Sequence, residues 1–480
     1  MSDAFSTSST HPSTPATTRR GFLRTAGLAG GALLAPAALS ACATGAVRET
    51  AESTGPTGPM DPDDPFGASK ALESVVFDGG NGVEYLDLTK KVYLDAHPDI
   101  DVTITKTQDL STLQSQFVNQ TPPDLWQNSG AKALDVTSLT LNEQLAELDD
   151  LMAAPSWDNP DVTVEESLNG GVREDGTVNG KLVGLNFVQY AWGIWHDAAL
   201  FEDKGWEMPG SWEDLMSLCG RIKSDGIAPW AFTGVHPSYF QSGVLFPLVV
   251  KFGDQEVWKR VDNLEPDAWR QQPIRDALEA LLQLRTDDFI LRGVAQMTHI
   301  QSQTAWLQHK AAFIPVGAWL ENEMKSTIPD DFELTATSLP GPGGKLTDLV
   351  PNNAGAGWYI PAQAKNPGSA KEFLRALLSR ESARNYAELT RNITVVTDAH
   401  EGQELGAAFN SIASMIAKSN RTEPWVNVKY PSWYKSLSSE SEAALMALLL
   451  DNATVDDYVE RCQRKADEVK NDPKTKKITR

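Results

Sequence analysis

Two spacings of apolar residues alternate along most of the chain. Ile100, Val102 and Ile104 are separated by single polar positions, the period of a strand with one buried face, whereas 83–96 and 109–119 repeat their apolar positions at helical spacing. Residues 72–77 form a short apolar run closed by Asp78-Gly79-Gly80-Asn81-Gly82, and His97-Pro98 stops the helix that follows. Pro122-Pro123-Asp124-Leu125-Trp126-Gln127-Asn128-Ser129-Gly130 reads as turn, strand and loop. Strand, helix, strand, helix, strand at this pitch predicts a parallel sheet with crossover helices. Ligands of such sheets gather at the carboxyl ends of the strands, which here are 78–82 and 128–130.

A second block of the same kind follows residue 185. Tyr190-Ala191-Trp192-Gly193-Ile194-Trp195 alternates like a strand, Ser211-Trp212-Glu213-Asp214 opens a capped helix, and Pro229-Trp230-Ala231-Phe232-Thr233 is a further strand. Ala311-Ala312-Phe313-Ile314-Pro315-Val316-Gly317 leads to Trp319, 332–339 is another strand, and Gly357-Trp358-Tyr359-Ile360-Pro361 precedes a helix with Phe373, Leu374, Leu377 and Leu378 on one face. The last hundred residues are helical, and no internal repeat is found. These elements predict an α/β protein built from two successive blocks.

The first 41 residues have a different texture. A polar stretch rich in Ser, Thr and Pro gives way to Thr18-Arg19-Arg20-Gly21-Phe22-Leu23-Arg24 and an apolar run, 26–39, that is too short and too rich in Gly to span a bilayer. That is the pattern of a twin-arginine export signal. It ends in Leu39-Ser40-Ala41-Cys42, similar to the lipobox of bacterial lipoproteins, where the Cys42 thiol would accept diacylglycerol. Residues 42–70 are poor in large apolar side chains and predict a flexible tether. The expectation is a protein exported by the twin-arginine route, lipid-anchored on the outer face of the cell membrane, and touching the membrane only through that anchor.

Composition narrows the function. The 480 residues carry 42 basic and 64 acidic side chains, a net charge of −22, with 41% apolar residues. A chain this apolar is not wholly disordered, and without a dense basic patch it is no nucleic-acid partner. Cys219 and Cys462, in separate helical segments, are expected as buried thiols. The seven histidines show no metal-ligand spacing, and no Gly-x-Ser-x-Gly elbow, Walker loop or Rossmann fingerprint occurs. A non-enzyme with no cofactor and no metal is therefore expected.

The order of motifs resembles the extracellular solute-binding proteins of ABC sugar importers. The resemblance rests on the export signal, Pro122-Pro123-Asp124-Leu125, Pro209-Gly210-Ser211-Trp212-Glu213-Asp214-Leu215, Lys310-Ala311-Ala312-Phe313 through Gly317-Ala318-Trp319, and Ile360-Pro361 before Lys365-Asn366-Pro367. Within that family, the segments Asn263-Leu264-Glu265-Pro266-Asp267-Ala268-Trp269, His299-Ile300-Gln301-Ser302-Gln303-Thr304-Ala305-Trp306 and Trp319-Leu320-Glu321-Asn322-Glu323 are similar to the N-acetylglucosamine/N,N′-diacetylchitobiose-binding lipoproteins. The resemblance implies a periplasmic-binding-protein-like fold, with one lobe at 71–187 plus 345–398 and the other at 188–344 plus 399–475. It implies hinge closure on a mono- or oligosaccharide, delivery to ABC permease subunits, and a monomer.

A neutral amino-sugar needs flat aromatic platforms for its C–H faces and paired donors and acceptors for its hydroxyls. Among fourteen tryptophans, Trp212, Trp258, Trp269 and Trp306 sit in helical patterns and are read as packing, as is Trp126 in its strand. Trp319 and Trp433 occupy the places where the maltose-binding archetype presents stacking rings. Tyr190 and Trp192 share one strand face, and Trp230, His236 and Tyr239 lie at or after the end of another strand. Asp78, Gly79, Asn128, Glu321 and Asn322 complete the expected ligand contacts. A surface glycoside hydrolase acting on amino-sugar oligosaccharides is the alternative, since it would use the same aromatics with two carboxylates across the scissile bond.

Overall fold

The computed structural model describes residues 61–130, 132–423 and 425–480. The expected export signal, Cys42 and the expected tether up to residue 60 lie outside the described residues. No described helix is long and apolar enough to cross a membrane.

Ten strands are present among the described residues: β1 (Ala71–Phe77), β2 (Asp101–Thr107), β3 (Leu125–Asn128), β4 (Thr177–Val178), β5 (Lys181–Leu182), β6 (Gly184–Asp197), β7 (Ala228–Trp230), β8 (Ala311–Gly317), β9 (Leu334–Thr337) and β10 (Asn352–Tyr359). Eight form one sheet in the order β2-β1-β3-β10-β6-β8-β7, with β9 also pairing β6; β4 and β5 make a separate hairpin. As the alternating pattern predicts, β1 is parallel to both β2 and β3. In the second lobe, β7 is parallel to β8. β10 and β6 run antiparallel between these parallel parts.

Two α/β lobes follow from how side chains cluster around the sheet. One apolar core gathers Leu72, Val76, Leu86, Tyr93, Phe187, Trp358 and Phe373. Another joins Trp230, Trp258, Trp269, Phe313, Leu445 and Tyr458, with Trp195, Trp306 and Val316 in an adjoining cluster. Trp126, Trp195, Trp230, Trp258, Trp269, Trp306 and Trp358 are all almost fully buried. They contribute packing area, which agrees with the packing role expected of Trp126, Trp258, Trp269 and Trp306. Trp230 was expected at a ligand and is instead core.

Core membership changes at the same height on three neighbouring segments. Along β6 it passes from Val188 to Ala191, before β10 from Val350 to Ala354, and near the third segment from Ile393 to Val395. Gln189 N–H donates to Ile393 O at 2.8 Å, Val395 N–H to Phe187 O at 3.0 Å, and Trp192 N–H to Pro351 O at 2.9 Å. The two cores therefore meet along three segments that are hydrogen-bonded to one another.

The end of the expected tether is held down. Ser69 N–H donates to Ser369 Oγ at 2.8 Å, Arg375 Nη2 donates to Pro62 O at 3.1 Å, and Phe66 packs on the first core. From residue 62 the chain is docked, so the flexible stretch expected over 42–70 does not include its last residues. Ser211 caps the helix Trp212–Ser224 by accepting from Asp214 N–H, and Cys219 and Cys462 are free and buried.

Candidate functional site

The carboxyl ends of β1 and β8 face each other across the junction. After Phe77 the chain forms the loop 78–84. After Gly317 it enters the short helix Leu320–Met324, with Trp319 as its N-terminal flanking residue. Asn322 Nδ2 donates to Gly80 O at 2.6 Å, and Asn81 Nδ2 donates to Tyr190 Oη at 2.7 Å. Elsewhere along the same junction Lys429 Nζ lies 3.4 Å from Asp175 Oδ1. Burial raises the Asp175 carboxyl pKa, and Lys429 opposes that rise.

Trp319 is the centre of an aromatic cluster. The rings of Trp192, Tyr190 and Tyr239 stand nearly perpendicular to it at 4.9, 5.3 and 5.9 Å. Tyr239 also contacts Trp192 at 5.5 Å and stacks with His299 at 5.9 Å, and His236 adjoins His299 at 5.5 Å. Such edge-to-face contacts hold the rings in fixed orientations. Tyr190 and Trp192 do share a face of β6. Trp195, of opposite phase, is buried on the other side and donates Nε1–H to Val316 O.

Two glycines make the arrangement possible. A Cβ on Gly317 would lie 2.0 Å from the Trp319 ring, and one on Gly355 would lie 2.4 Å from the Tyr190 ring. Both aromatics therefore rest directly on backbone. Gly317 pairs with Trp192 across β6 and β8, which brings Trp192 beside Trp319.

Polar groups border the rings. Glu323 accepts from Gln303 Nε2 at 2.8 Å and lies 3.2 Å from His299 Nε2, and a Cβ on Gly80 would meet its Oε1 at 3.3 Å. Burial pushes the Tyr190 phenol up to about 12 against the opposing Asn81 bond. Burial, followed by Glu323 and Tyr190, pushes Tyr239 up to about 12. Burial and the neighbouring His299 lower the His236 pKa. Both phenols are thus neutral near pH 7 and His236 is biased to its neutral form, an environment suited to an uncharged polar ligand. Burial also pushes the Glu321 carboxyl up to about 7, with Arg391 opposing, and its Oε2 has no hydrogen-bond partner among the described residues.

Of the residues expected from the sequence, Tyr190, Trp192, His236, Tyr239, Trp319 and Asn322 come together here. Asp78 stands at the start of the facing loop, its N–H donating to Thr107 O. Gly79 has a structural reason to be glycine, because a Cβ would fall 2.1 Å from the Phe77 ring. Three expectations are corrected. Trp230 is fully buried against Phe313, since it is the last residue of β7 and points into the core. Asn128 uses its whole amide on its own loop, accepting from Leu134 N–H and donating to Leu134 O. Trp433 is half-buried, its ring contact is with Tyr434, and it does not join the Trp319 cluster. Sequence reasoning missed Asn81, His299, Gln303 and Glu323. His299 and Gln303 are four apart in the helix His299–Leu307, a spacing that places both on one face.

The sequence profile of the bacterial extracellular solute-binding proteins matches residues 80–384. The diacetylchitobiose-binding protein NgcE of Streptomyces coelicolor is 30% identical over 338 residues, covering 68% of this chain and 70% of that protein. Among solved structures, the apo form of RafE from Streptococcus pneumoniae superposes with a TM-score of 0.67 at 16% identity, covering 84% of this chain and 98% of that one. A chitin oligosaccharide binding protein superposes with a TM-score of 0.63 at 17% identity, covering 83% and 98% respectively. The two structural likenesses speak to the fold.

Proposed function

The chain belongs to the bacterial extracellular solute-binding protein family, and from that premise we propose that it captures N-acetylglucosamine- or chitobiose-type sugars and delivers them to an ABC permease. The observation that carries this reading is the Trp319 cluster, set at the facing carboxyl ends of β1 and β8 with Asn322, Asn81 and Glu323 around it. Flat rings meet the C–H faces of a pyranose; amides, a carboxylate and neutral imidazole and phenol groups meet its hydroxyls and acetamido group. The similarity to NgcE, a diacetylchitobiose-binding protein, supports the choice of sugar.

A sugar touching both loops favours the closed arrangement by its differential affinity for it. The permease then senses the relative position of the lobes. The lobe limits proposed are 71–187 plus 345–398 and 188–344 plus 399–475. The same reading has the protein exported by the twin-arginine route, anchored through a diacylated Cys42 and acting as a monomer.

A thermal-shift screen of mono- and disaccharides tests the proposal. A ligand at 100 times its Kd adds about 2.7 kcal/mol of stability, so chitobiose should raise Tm where unrelated sugars do not. Unchanged Tm with every amino-sugar would remove the reading. Release of N-acetylglucosamine from chitooligosaccharides during incubation would replace it with a glycosidase.

A further inference from the structure

We propose that Asp64, His97 and Glu372 form a binding site for one divalent transition-metal ion of the zinc class. One carboxylate oxygen from each acid and one imidazole nitrogen of His97 all lie within 4.8 Å of one another. They come from three distant parts of the chain: the docked segment before β1, the C-terminal flank of the helix Tyr85–Ala96, and the helix Pro367–Leu377. Their wide separation in sequence hides them from any motif based on spacing, and this site departs from the sequence-based expectation of no metal.

The chemistry of the buried atoms points to a cation. Glu372 is fully buried; its Oε2 accepts from Arg375 Nη1 at 2.6 Å, while its Oε1 has no hydrogen-bond partner among the described residues. His97 Nε2 is likewise buried without one, and it lies 3.8 Å from Glu372 Oε2. A buried polar atom left unmatched costs about 1–3 kcal/mol, so two such atoms on neighbouring side chains, Glu372 Oε1 and His97 Nε2, call for a further partner. Arg375 pairs with the Glu372 carboxylate, and Asp64 brings a second carboxylate to the group. A dication matches that better than another basic side chain would.

Nitrogen together with carboxylate oxygen favours zinc and its neighbours over calcium or magnesium. Ligand atoms around tetrahedral zinc stand about 3.3 Å apart, given bonds of about 2.0 Å, so a small inward adjustment of the three side chains completes three positions and leaves the fourth to water. Arg375 acts behind Glu372 as the group that orients it. Asp64 is already shaped by accepting from Ala68 N–H through both oxygens at 2.8 and 3.1 Å. The ion would fasten the segment leading out of the body to the first lobe. This inference does not depend on the identity of the sugar.

The test uses the full exported chain, stripped with a chelator and titrated with Zn2+ by calorimetry and with Co2+ by visible absorption. We expect one equivalent of Zn2+, visible Co2+ bands, and loss of both in His97→Gln. Asp64→Asn, on a partly exposed residue, should weaken Zn2+ binding at least tenfold while leaving the metal-free Tm and the Tm response to chitobiose unchanged. No stoichiometric Zn2+ uptake, or one equivalent that survives both substitutions, would overturn the site. Uptake that His299→Ala abolishes and His97→Gln does not would place the ion in the aromatic cluster and would equally overturn it.

Discussion

Trp230 and Trp319 stand at the carboxyl ends of neighbouring parallel strands, yet one is core and the other is the centre of the candidate site. Trp230 is the last residue of β7, still in register with Phe313 of β8, and its alternating phase turns the ring into the apolar interior. Trp319 lies two residues beyond β8, where the strand's alternation no longer sets its direction and Gly317 gives its ring room on the backbone. Being at the end of a strand does not make a ring a ligand contact. The residue must have left the strand and found a backbone without a Cβ to lie on.

The comparison can be broken by substitution. Trp230→Ala should cost about 3–5 kcal/mol of stability, the scale of a buried aromatic lost from a core, read by denaturant unfolding; a loss under 1 kcal/mol would place the ring outside the core. Gly317→Ala should displace the Trp319 ring and weaken sugar binding about tenfold, about 1.4 kcal/mol, with unfolding stability changed less than by Trp230→Ala. Fluorescence titration gives that value, and an unaltered Kd would mean that the ring's seat on Gly317 does not matter. Trp433→Ala should weaken sugar binding by less than about 1 kcal/mol, because that ring stands apart from the cluster; a larger loss by calorimetry would enlarge the site.

A separate effect concerns pH. With the Glu321 pKa raised from 4.5 to about 7 in the folded protein, the native state binds more protons than the unfolded state between those values. Stability from this group is therefore present at low pH and declines as pH rises from about 4.5 to 7. Glu321→Gln should flatten that part of the Tm profile by roughly 3–4 degrees, and a profile identical to the wild type would show that the carboxyl is not desolvated.

Much of the architecture was legible because local periodicity carries it. β1, β2 and β3 and the helix between β1 and β2 follow from alternation and from the His97-Pro98 stop. The antiparallel insertion of β10 between β3 and β6 was not legible, since pairing between segments far apart in sequence leaves no local pattern. The site divides the same way. Tyr190 and Trp192 were placed together by strand phase, and Trp319 by its loop and the family resemblance. Asn128 and Asn322 could not be told apart by residue type. One closes its own loop on Leu134, and the other reaches across the junction to Gly80. Glu323 was overlooked beside Glu321 because in so short a helix the phase depends on where Trp319 ends the strand connection. The trio Asp64, His97 and Glu372 has no sequence signature at all.

The central claim is that Trp319 is the platform on which a sugar rests between the lobes. Isothermal titration of N,N′-diacetylchitobiose into the wild type and Trp319→Ala tests it most directly. The account predicts a binding isotherm for the wild type and a Kd about thirtyfold weaker or more in the variant, roughly 2 kcal/mol for a buried aromatic contact, with the metal-free fold intact. The same Kd in both proteins would contradict it.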